Sequence, residues 1–183
     1  MITRPRDCSW VPGSFEDITG INDFQCRSDP DDDYNCIAWA LGKTNHFWWP
    51  RNEAGYYWPP GLPKEPISGE TVDNFIAAFK TEGYLPCSHS GVERKYQKIA
   101  LFVSAYGRRK HAACLLETGI WSSKLGPSED IEHATLKCLE GRTYGRVRMF
   151  FKKRRPEYPP SGRVLTKLRS FLSRYFGSRQ GRS

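Results

Sequence analysis

Residues 34–42 read YNCIAWALG: a cysteine, then a short run of apolar helix formers that ends at Gly42. Asn35, or one of the aspartates before it, can cap the first turn with its side-chain oxygen. The stretch therefore predicts a short helix over residues 35–41 that carries Cys36 at its start. The positive end of a helix dipole favours a thiolate over a thiol. We therefore expect Cys36 to be a reactive cysteine.

His111 follows Cys36 by 75 residues and stands at the start of an apolar run. Residues 110–117 are predicted to form a strand, and Thr118-Gly119 is a plausible hairpin turn into a second strand at 120–124. An imidazole near a thiol can take its proton and later return it to a leaving group. Cys36 as nucleophile and His111 as base suit acyl transfer at an amide or thioester. The alternative is that both residues only pack in the core.

The remaining elements place helices mainly in the first half of the chain and strands in the second half. Prolines exclude regular structure over most of residues 45–66. The further predicted elements are a helix at 70–82, a strand at 98–105, a short helix at 127–139 and a last strand at 146–153. Together with the hairpin, this order is typical of an α+β fold.

A third residue should accept a hydrogen bond from the other imidazole nitrogen and so orient the ring. The hairpin register brings Ser123 near His111 on the partner strand. His133, at the end of the predicted short helix, is the other candidate. Lys124 cannot fill this role because an ammonium has no lone pair. It is expected to bind an anionic substrate group or to remain solvated.

Several motifs that occur in a fixed order are similar to those of an uncharacterised family of small bacterial proteins. They include NCIAWALG at 35–42, HAA at 111–113 and WSSKLG at 121–126. The resemblance covers roughly residues 30–152 and implies no particular activity. Its strength lies in the agreement of several unrelated motifs.

More distantly, the order of cysteine and histidine resembles that of NlpC-type cell-wall peptidases and other papain-like enzymes. This resemblance implies a papain-like fold in which an N-terminal helix carrying Cys36 packs on an antiparallel sheet carrying His111. It also implies a cysteine peptidase or amidase that acts on a protein or peptide substrate. Two positions depart from the pattern, because Pro30 replaces a glutamine and Asn35 replaces the aspartate before the cysteine. Asn35 and the backbone N–H of Cys36 are then the available oxyanion donors.

The composition is that of a folded domain, with 183 residues of which 38% are apolar and 14% aromatic. We expect no cofactor and no metal, because the six cysteines lack the close pairs that are typical of zinc sites. Residues 1–13 lack the features of a secretory signal. We therefore expect a cytoplasmic protein with reduced cysteines.

The net charge of +8 is concentrated at the C-terminal end, where residues 146–183 carry 12 Lys and Arg against one acid. We expect a papain-like domain over 1–157 and a linker with a basic amphipathic tail over 158–183. The apolar stripe of the tail helix at 163–176 favours docking on a partner protein or on its own domain. A membrane surface is the next candidate, and nucleic acid is the least favoured.

The competing functional class is a non-catalytic interaction module that keeps the fold. In that case the tail and the aromatic segment at 46–60 would be its binding surfaces. A third alternative is a basic protein that binds nucleic acid or a membrane surface, for which binding should depend strongly on salt.

Overall fold

The computed structural model describes residues 8–15, 18, 23–65, 69–105, 107 and 110–157. The chain divides into a compact unit that ends at Lys153 and a second unit that begins at Arg154. The predicted linker and tail, including the helix at 163–176, lie outside the described residues. Within the described part, no helix has the length and apolarity to cross a membrane.

The architecture is mixed, with one large, mostly antiparallel sheet and few helices. The helices are α1 (Val11–Ser14), α2 (Cys36–Ala40) and α3 (Val72–Thr81), with a 3-10 helix at Leu136–Leu139. The strands are β1 (Phe24–Cys26), β2 (Phe47–Trp48), β3 (Tyr56–Tyr57), β4 (Leu85–Cys87), β5 (Tyr96–Val103), β6 (Lys110–Leu115), β7 (Trp121–Lys124), β8 (Asp130–His133) and β9 (Arg146–Arg154). Seven strands form the sheet in the order β1-β8-β7-β6-β5-β9-β4, while β2 and β3 form a separate parallel pair.

The central strands of the sheet are covered on both faces. Side chains alternate along a strand, so that neighbouring residues point to opposite faces. Leu101 and Ala112 pack with α2 and α3 on one face. Phe102 and Ala113 pack with α1 and the segment around it on the other face. The central strands β5 and β6 are accordingly apolar on both sides.

Most of the predicted elements are confirmed, within a few residues, by the structure. These are the helix that carries Cys36, the helix at 70–82, the β6–β7 hairpin and the strands at 98–105 and 146–153. Gly119 has φ 86° and so supplies the left-handed position of the hairpin turn. The segment at 45–66, which was predicted to be mostly irregular, contains the two short strands β2 and β3. Both strands lie at positions without proline.

The predicted helix at 127–139 is wrong. Residues 130–133 instead form β8, which pairs with β7 on one side and with β1 on the other. The 3-10 helix occupies only the end of the predicted range. Pairing with two neighbouring strands outweighs the helix-start signal of the acidic residues near Pro127, so His133 lies on a strand and not at a helix end.

The expectation that all the cysteines are reduced is wrong for one pair. Cys8 and Cys26 form a disulfide, with their Cα atoms 6.1 Å apart. Cys8 precedes α1 and Cys26 ends the edge strand β1, so the bond ties the N-terminal segment to the sheet. Because 18 residues separate the two cysteines, their spacing gave no sign of the pairing.

Gly141 and Gly145 close a loop that we call the Tyr144 loop, residues 141–145. Each glycine donates its N–H to the carbonyl of the other, at 2.9 and 2.8 Å. Gly145 has φ 81° and approaches Val103 so closely that a Cβ would lie 2.1 Å from the Val103 carbonyl oxygen. Only glycine fits this position, because a side chain would meet both backbone strain and a clash.

We expect Gly145→Ala to destabilise the protein more than Gly126→Ala. Both glycines have positive φ, but a Cβ at Gly126 would meet nothing within 4 Å. Gly126→Ala should therefore cost about 1–2 kcal/mol of unfolding free energy from backbone strain alone. Gly145→Ala should add about 1–3 kcal/mol from the clash. Urea unfolding measures both, and equal losses would show that the added methyl group at position 145 meets no clash in the folded chain.

Candidate functional site

Asn35 fixes the start of α2 and joins it to β2. Its Oδ1 accepts the N–H of Ala38 at 3.1 Å, which confirms the predicted cap. The same Oδ1 accepts the N–H of Trp48, and Nδ2 donates to the Trp48 carbonyl at 3.0 Å. The oxyanion role of Asn35 stays a prediction, since its side chain already has these structural partners.

Cys36 is almost fully buried, with 7% of its surface exposed. Burial raises the pKa of the thiol to about 11, although hydrogen bonds from the backbone N–H groups of Ala112, Ile37 and Cys36 itself act to lower the pKa. α2 has only five residues and does not outweigh the desolvation of the sulfur. The raised pKa favours a thiol over the predicted thiolate, and the reactivity of Cys36 stays a prediction.

The sulfur of Cys36 lies at the point where β6 and β7 separate. Leu116 donates its N–H across the hairpin to Ile120 at 2.9 Å. Because alternate residues of an antiparallel strand point their N–H groups to the same neighbour, Ala112 also points towards β7. The pairing of β6 with β7 covers Leu115, Cys114 and Ala113 and does not include Ala112. Its N–H therefore meets Cys36 and not a strand carbonyl.

His111 precedes Ala112 and lies on the face of the sheet opposite to α2. Its ring stacks on Tyr144, with centroids 3.9 Å apart and planes 11° apart. Phe102 meets the ring edge-on at 5.3 Å. His111 and Cys36 therefore approach the end of β6 from opposite faces. No hydrogen bond joins them, because Nδ1 of the fully buried His111 has no partner.

The other nitrogen of His111 begins a chain of hydrogen bonds across three strands. His111 Nε2 lies 3.1 Å from Ser123 Oγ, and Ser123 Oγ lies 3.0 Å from His133 Nε2. His133 Nδ1 then lies 2.8 Å from the Thr135 carbonyl oxygen. We call these four residues the imidazole relay. The structure thus brings together three of the predicted site residues, His111, Ser123 and His133. Cys36 is not part of this chain of hydrogen bonds and packs on the opposite face of the sheet.

The direction of the relay follows from its last member. The carbonyl of Thr135 can only accept, so His133 carries its proton on Nδ1 and accepts on Nε2. Ser123 has one proton, which it donates to His133, and its oxygen therefore accepts from His111 Nε2–H. This leaves Nδ1 of His111 as a bare lone pair in the interior.

Both imidazoles of the relay are neutral at pH 7. Burial, and to a smaller extent the nearby His133, lowers the pKa of His111 to about 3. Burial also lowers the pKa of His133 to about 4, while the Thr135 carbonyl opposes the shift. The relay therefore presents a neutral acceptor, which is the form that a general base must have.

The described fold and site belong to a recognisable sequence family. The model of a family described as "Domain of unknown function (DUF7689)" matches residues 25–152. The chain belongs to the DUF7689 family. The matched part of DUF7689 includes Cys36 and the whole imidazole relay, but neither α1 nor the tail. No curated protein and no solved structure matches the chain.

Lys124 of the DUF7689 domain has a different environment from the one predicted. It is fully buried, its Nζ donates to the Ser128 carbonyl, and it lies 4.8 Å from the centroid of the Tyr34 ring. Tyr34 in turn donates to Asp130 Oδ2 at 2.7 Å. Burial lowers the pKa of Lys124, whereas Asp130 and other nearby carboxylates act to raise it. Lys124 therefore balances buried and nearby acids, and it is neither solvated nor open to an anionic substrate.

Asp31, Asp32 and Asp33 are the group of side chains, among the described residues, whose ligand atoms could share a metal ion. These atoms lie within 4.8 Å of one another. The three carboxylates are exposed or half-buried, and exposed acidic clusters are common without an ion. The expectation of no metal stays a prediction.

Sequence reasoning missed three groups at the site. Tyr144 covers His111, and the glycines on either side of its loop were the available signal. Thr135 acts through its backbone carbonyl, which no side-chain pattern reveals. Cys138 donates to that carbonyl at 2.9 Å and lies 3.4 Å from His133 Nδ1, so it supports the end of the relay.

We expect stability to fall between pH 6.5 and 5 because of the relay. The folded pKa values of His111 and His133 lie below the ordinary value of 6.5. The unfolded chain therefore binds protons first, so this stability is complete above pH 6.5 and is lost as the pH falls towards the folded values. The slope should approach about 1.4 kcal/mol per pH unit for each histidine.

Urea unfolding at pH 7, 6 and 5 measures this slope. His111→Gln should roughly halve the slope, whereas His46→Gln should leave it unchanged, because His46 is exposed. A wild-type slope equal to that of His111→Gln would mean that His111 binds protons equally in the folded and unfolded chains.

Proposed function

We propose that this DUF7689 domain is a papain-like, cysteine-dependent hydrolase or acyl transferase that acts on an amide-type bond of a protein or peptide. One observation carries the proposal: a fully buried His111 with a bare Nδ1 directly precedes, in the chain, Ala112, whose backbone N–H binds the Cys36 sulfur. A buried nitrogen without a partner is costly in a purely structural role. At an active site it is the acceptor that the reaction requires.

In the proposed reaction, Cys36 attacks the amide carbonyl carbon while His111 Nδ1 takes the thiol proton. A C–S bond forms, and the carbonyl oxygen becomes an oxyanion. His111 then gives the proton to the leaving nitrogen as the C–N bond breaks, which leaves a thioester on Cys36. Water, or an acceptor amine, loses a proton to His111 as it forms a bond to the thioester carbonyl carbon. The C–S bond then breaks, the carboxylic acid or new amide leaves, and His111 returns the proton to the Cys36 sulfur.

The neutral resting state decides how this proton transfer occurs. The thiol pKa of about 11 and the imidazole pKa of about 3 disfavour a preformed ion pair. Proton transfer and attack are then coupled, as in serine enzymes. The imidazolium that forms on His111 keeps its Nε2–H on Ser123, so Ser123 and His133 act as orienting residues. In this proposal the N–H groups of Cys36 and Ile37, which bind the resting sulfur, donate to the oxyanion once the sulfur has bonded to carbon.

The second candidate is a non-catalytic interaction module. The burial of Cys36 and the raised pKa of its thiol favour this alternative, since a thiol in this state reacts slowly. A partner protein bound through the helix predicted from the sequence at 163–176 belongs to this proposal, with a membrane surface as the next candidate. The two proposals differ in one measurable property, which is acyl transfer to Cys36.

A cytoplasmic location also remains a proposal. The Cys8–Cys26 disulfide is of a kind that forms mainly in oxidising compartments. Mass spectrometry of the native protein under alkylation would give the redox state of this pair, and a fully reduced pair would support the cytoplasm.

Acetyl transfer from p-nitrophenyl acetate tests the catalytic proposal. We expect the acetyl group on Cys36 ahead of the other free thiols, Cys87, Cys114 and Cys138. His111→Ala should slow transfer about 100-fold or more, the usual effect of losing a general base. Ser123→Ala should slow it less, because it removes only the orienting partner.

Cys138→Ala is the matched control for this experiment, since it removes a buried thiol that touches the relay but not the end of β6. It should keep most of the transfer. Adding His111→Ala to Cys36→Ala should change little, because the two residues act as a unit. Transfer that persists in Cys36→Ala, or equal labelling of all thiols, would contradict the proposal and favour the interaction module.

A further inference from the structure

The proposed reaction requires access to a site that is closed. His111 and Ser123 are fully buried, and His133 is 1% exposed. Cys36 has a small exposed fraction of 7%. A peptide carbonyl therefore cannot reach both the sulfur and Nδ1 unless a covering group moves.

Two rings cover His111, and they differ in how they are held. Phe102 belongs to the central strand β5, which pairs along its length with β6. Tyr144 belongs to the Tyr144 loop, which is held at its base by the two hydrogen bonds between Gly141 and Gly145. Glycines at both ends make rotation of this loop easier than any movement of a central strand. Of the two rings, Tyr144 is therefore the one that can move away from His111.

A groove lies beside residues 141–143 of the Tyr144 loop. The ring of Phe15 lies 5.3 Å from the Tyr144 ring. Phe15, with residues 12–14 and 140–143, lines a groove of about 260 Å³. Thr143, next to Tyr144, donates to the Ser14 carbonyl across the groove at 3.4 Å, a long and exposed hydrogen bond. Phe15 thus connects the groove to Tyr144, which in turn stacks on the imidazole of His111.

On the basis of the proposed function, we propose that Tyr144 is a positioning residue that holds and covers His111, and that a peptide-like acyl substrate reaches His111 from the groove beside α1 when Tyr144 turns away. The parallel stack fixes the ring plane, while Ser123 fixes its rotation through Nε2. Together these two contacts fix the direction in which Nδ1 points. Burial raises the pKa of Tyr144, and Cys36 adds to this rise, so the phenol lies within electrostatic range of the thiol.

The groove suits a short stretch of peptide better than a large ligand. Its volume is below the roughly 300–1,000 Å³ of most small-molecule pockets. Pro12, Gly13 and Phe15 offer apolar contact, and the Ser14 carbonyl becomes an acceptor when the Thr143 hydroxyl leaves with the loop. A peptide N–H is the natural donor to that carbonyl.

Tyr144→Ala, Tyr144→Phe and Tyr84→Ala in the full chain test this inference. Tyr144→Phe keeps the stacked ring, and Tyr84→Ala removes a buried tyrosine from the α2 face of the sheet. The first readout is the rate at which iodoacetamide alkylates Cys36, measured by mass spectrometry of the Cys36 peptide. We expect Tyr144→Ala to raise this rate at least about tenfold, while the other two variants stay within about twofold of wild type.

The second readout is the pKa of His111, measured by NMR of the imidazole. Without the Tyr144 ring, water reaches His111, so we expect its pKa to rise from about 3 to above about 5. Tyr144→Phe should restore the low value. Neither readout needs catalysis. A failure of acetyl transfer would therefore contradict the proposed function without contradicting the inference that Tyr144 covers His111. A folded Tyr144→Ala variant with unchanged alkylation and an unchanged His111 pKa would overturn the inference.

Hydrogen exchange of the wild-type chain tests the opening even if Tyr144→Ala does not fold. The Gly145 N–H is bonded to the Gly141 carbonyl and closes the loop. We expect it to exchange through a local opening, much faster than the amides of β5 and β6. Exchange of Gly145 only by global unfolding would show that the loop does not open, and would overturn the inference.

Discussion

A serine hydroxyl that joins two neutral imidazoles is the contact on which the site is built. Ser123 lies opposite Ala113 on β6 and opposite Ile131 on β8. Its partners His111 and His133 are the diagonal neighbours of these positions, within reach of long side chains. Shifting one strand by a single residue would turn Ser123 to the opposite face. The relay and the strand register therefore require each other, and the apolar residues around them keep water out.

Burial has opposite consequences for the relay and for the thiol. It keeps the imidazoles neutral, which leaves His111 able to accept a proton, and it also keeps Cys36 protonated. Because Cys36 is buried and protonated, it is protected from the oxidation and alkylation that an exposed thiolate undergoes. Under the proposed function, the same burial requires a movement before a substrate can bind, and the Tyr144 loop is the described element that we propose to move.

Features that depend on neighbouring residues could be predicted from the sequence, whereas contacts between distant segments of the chain could not. The positions of Cys36 and His111 followed from a helix start and a strand start, and the hairpin register brought Ser123 to His111. His133 was assigned to a helix, because pairing with β1 depends on residues about 100 positions away. The Cys8–Cys26 disulfide and the stacking of Tyr144 arise from packing in the same way. The raised pKa of Cys36 could not be predicted, since desolvation depends on the complete fold and outweighs a five-residue helix.

The protonation pattern of the imidazole relay is the most direct test of this account. Nitrogen-15 NMR of the histidine side chains at pH 7 distinguishes a protonated from a bare ring nitrogen. The account predicts that His111 carries its proton on Nε2, that His133 carries its proton on Nδ1, and that both rings are neutral. A proton on Nδ1 of His111, or a charged imidazole at either position, would contradict it, because His111 would then have no bare nitrogen with which to accept a proton.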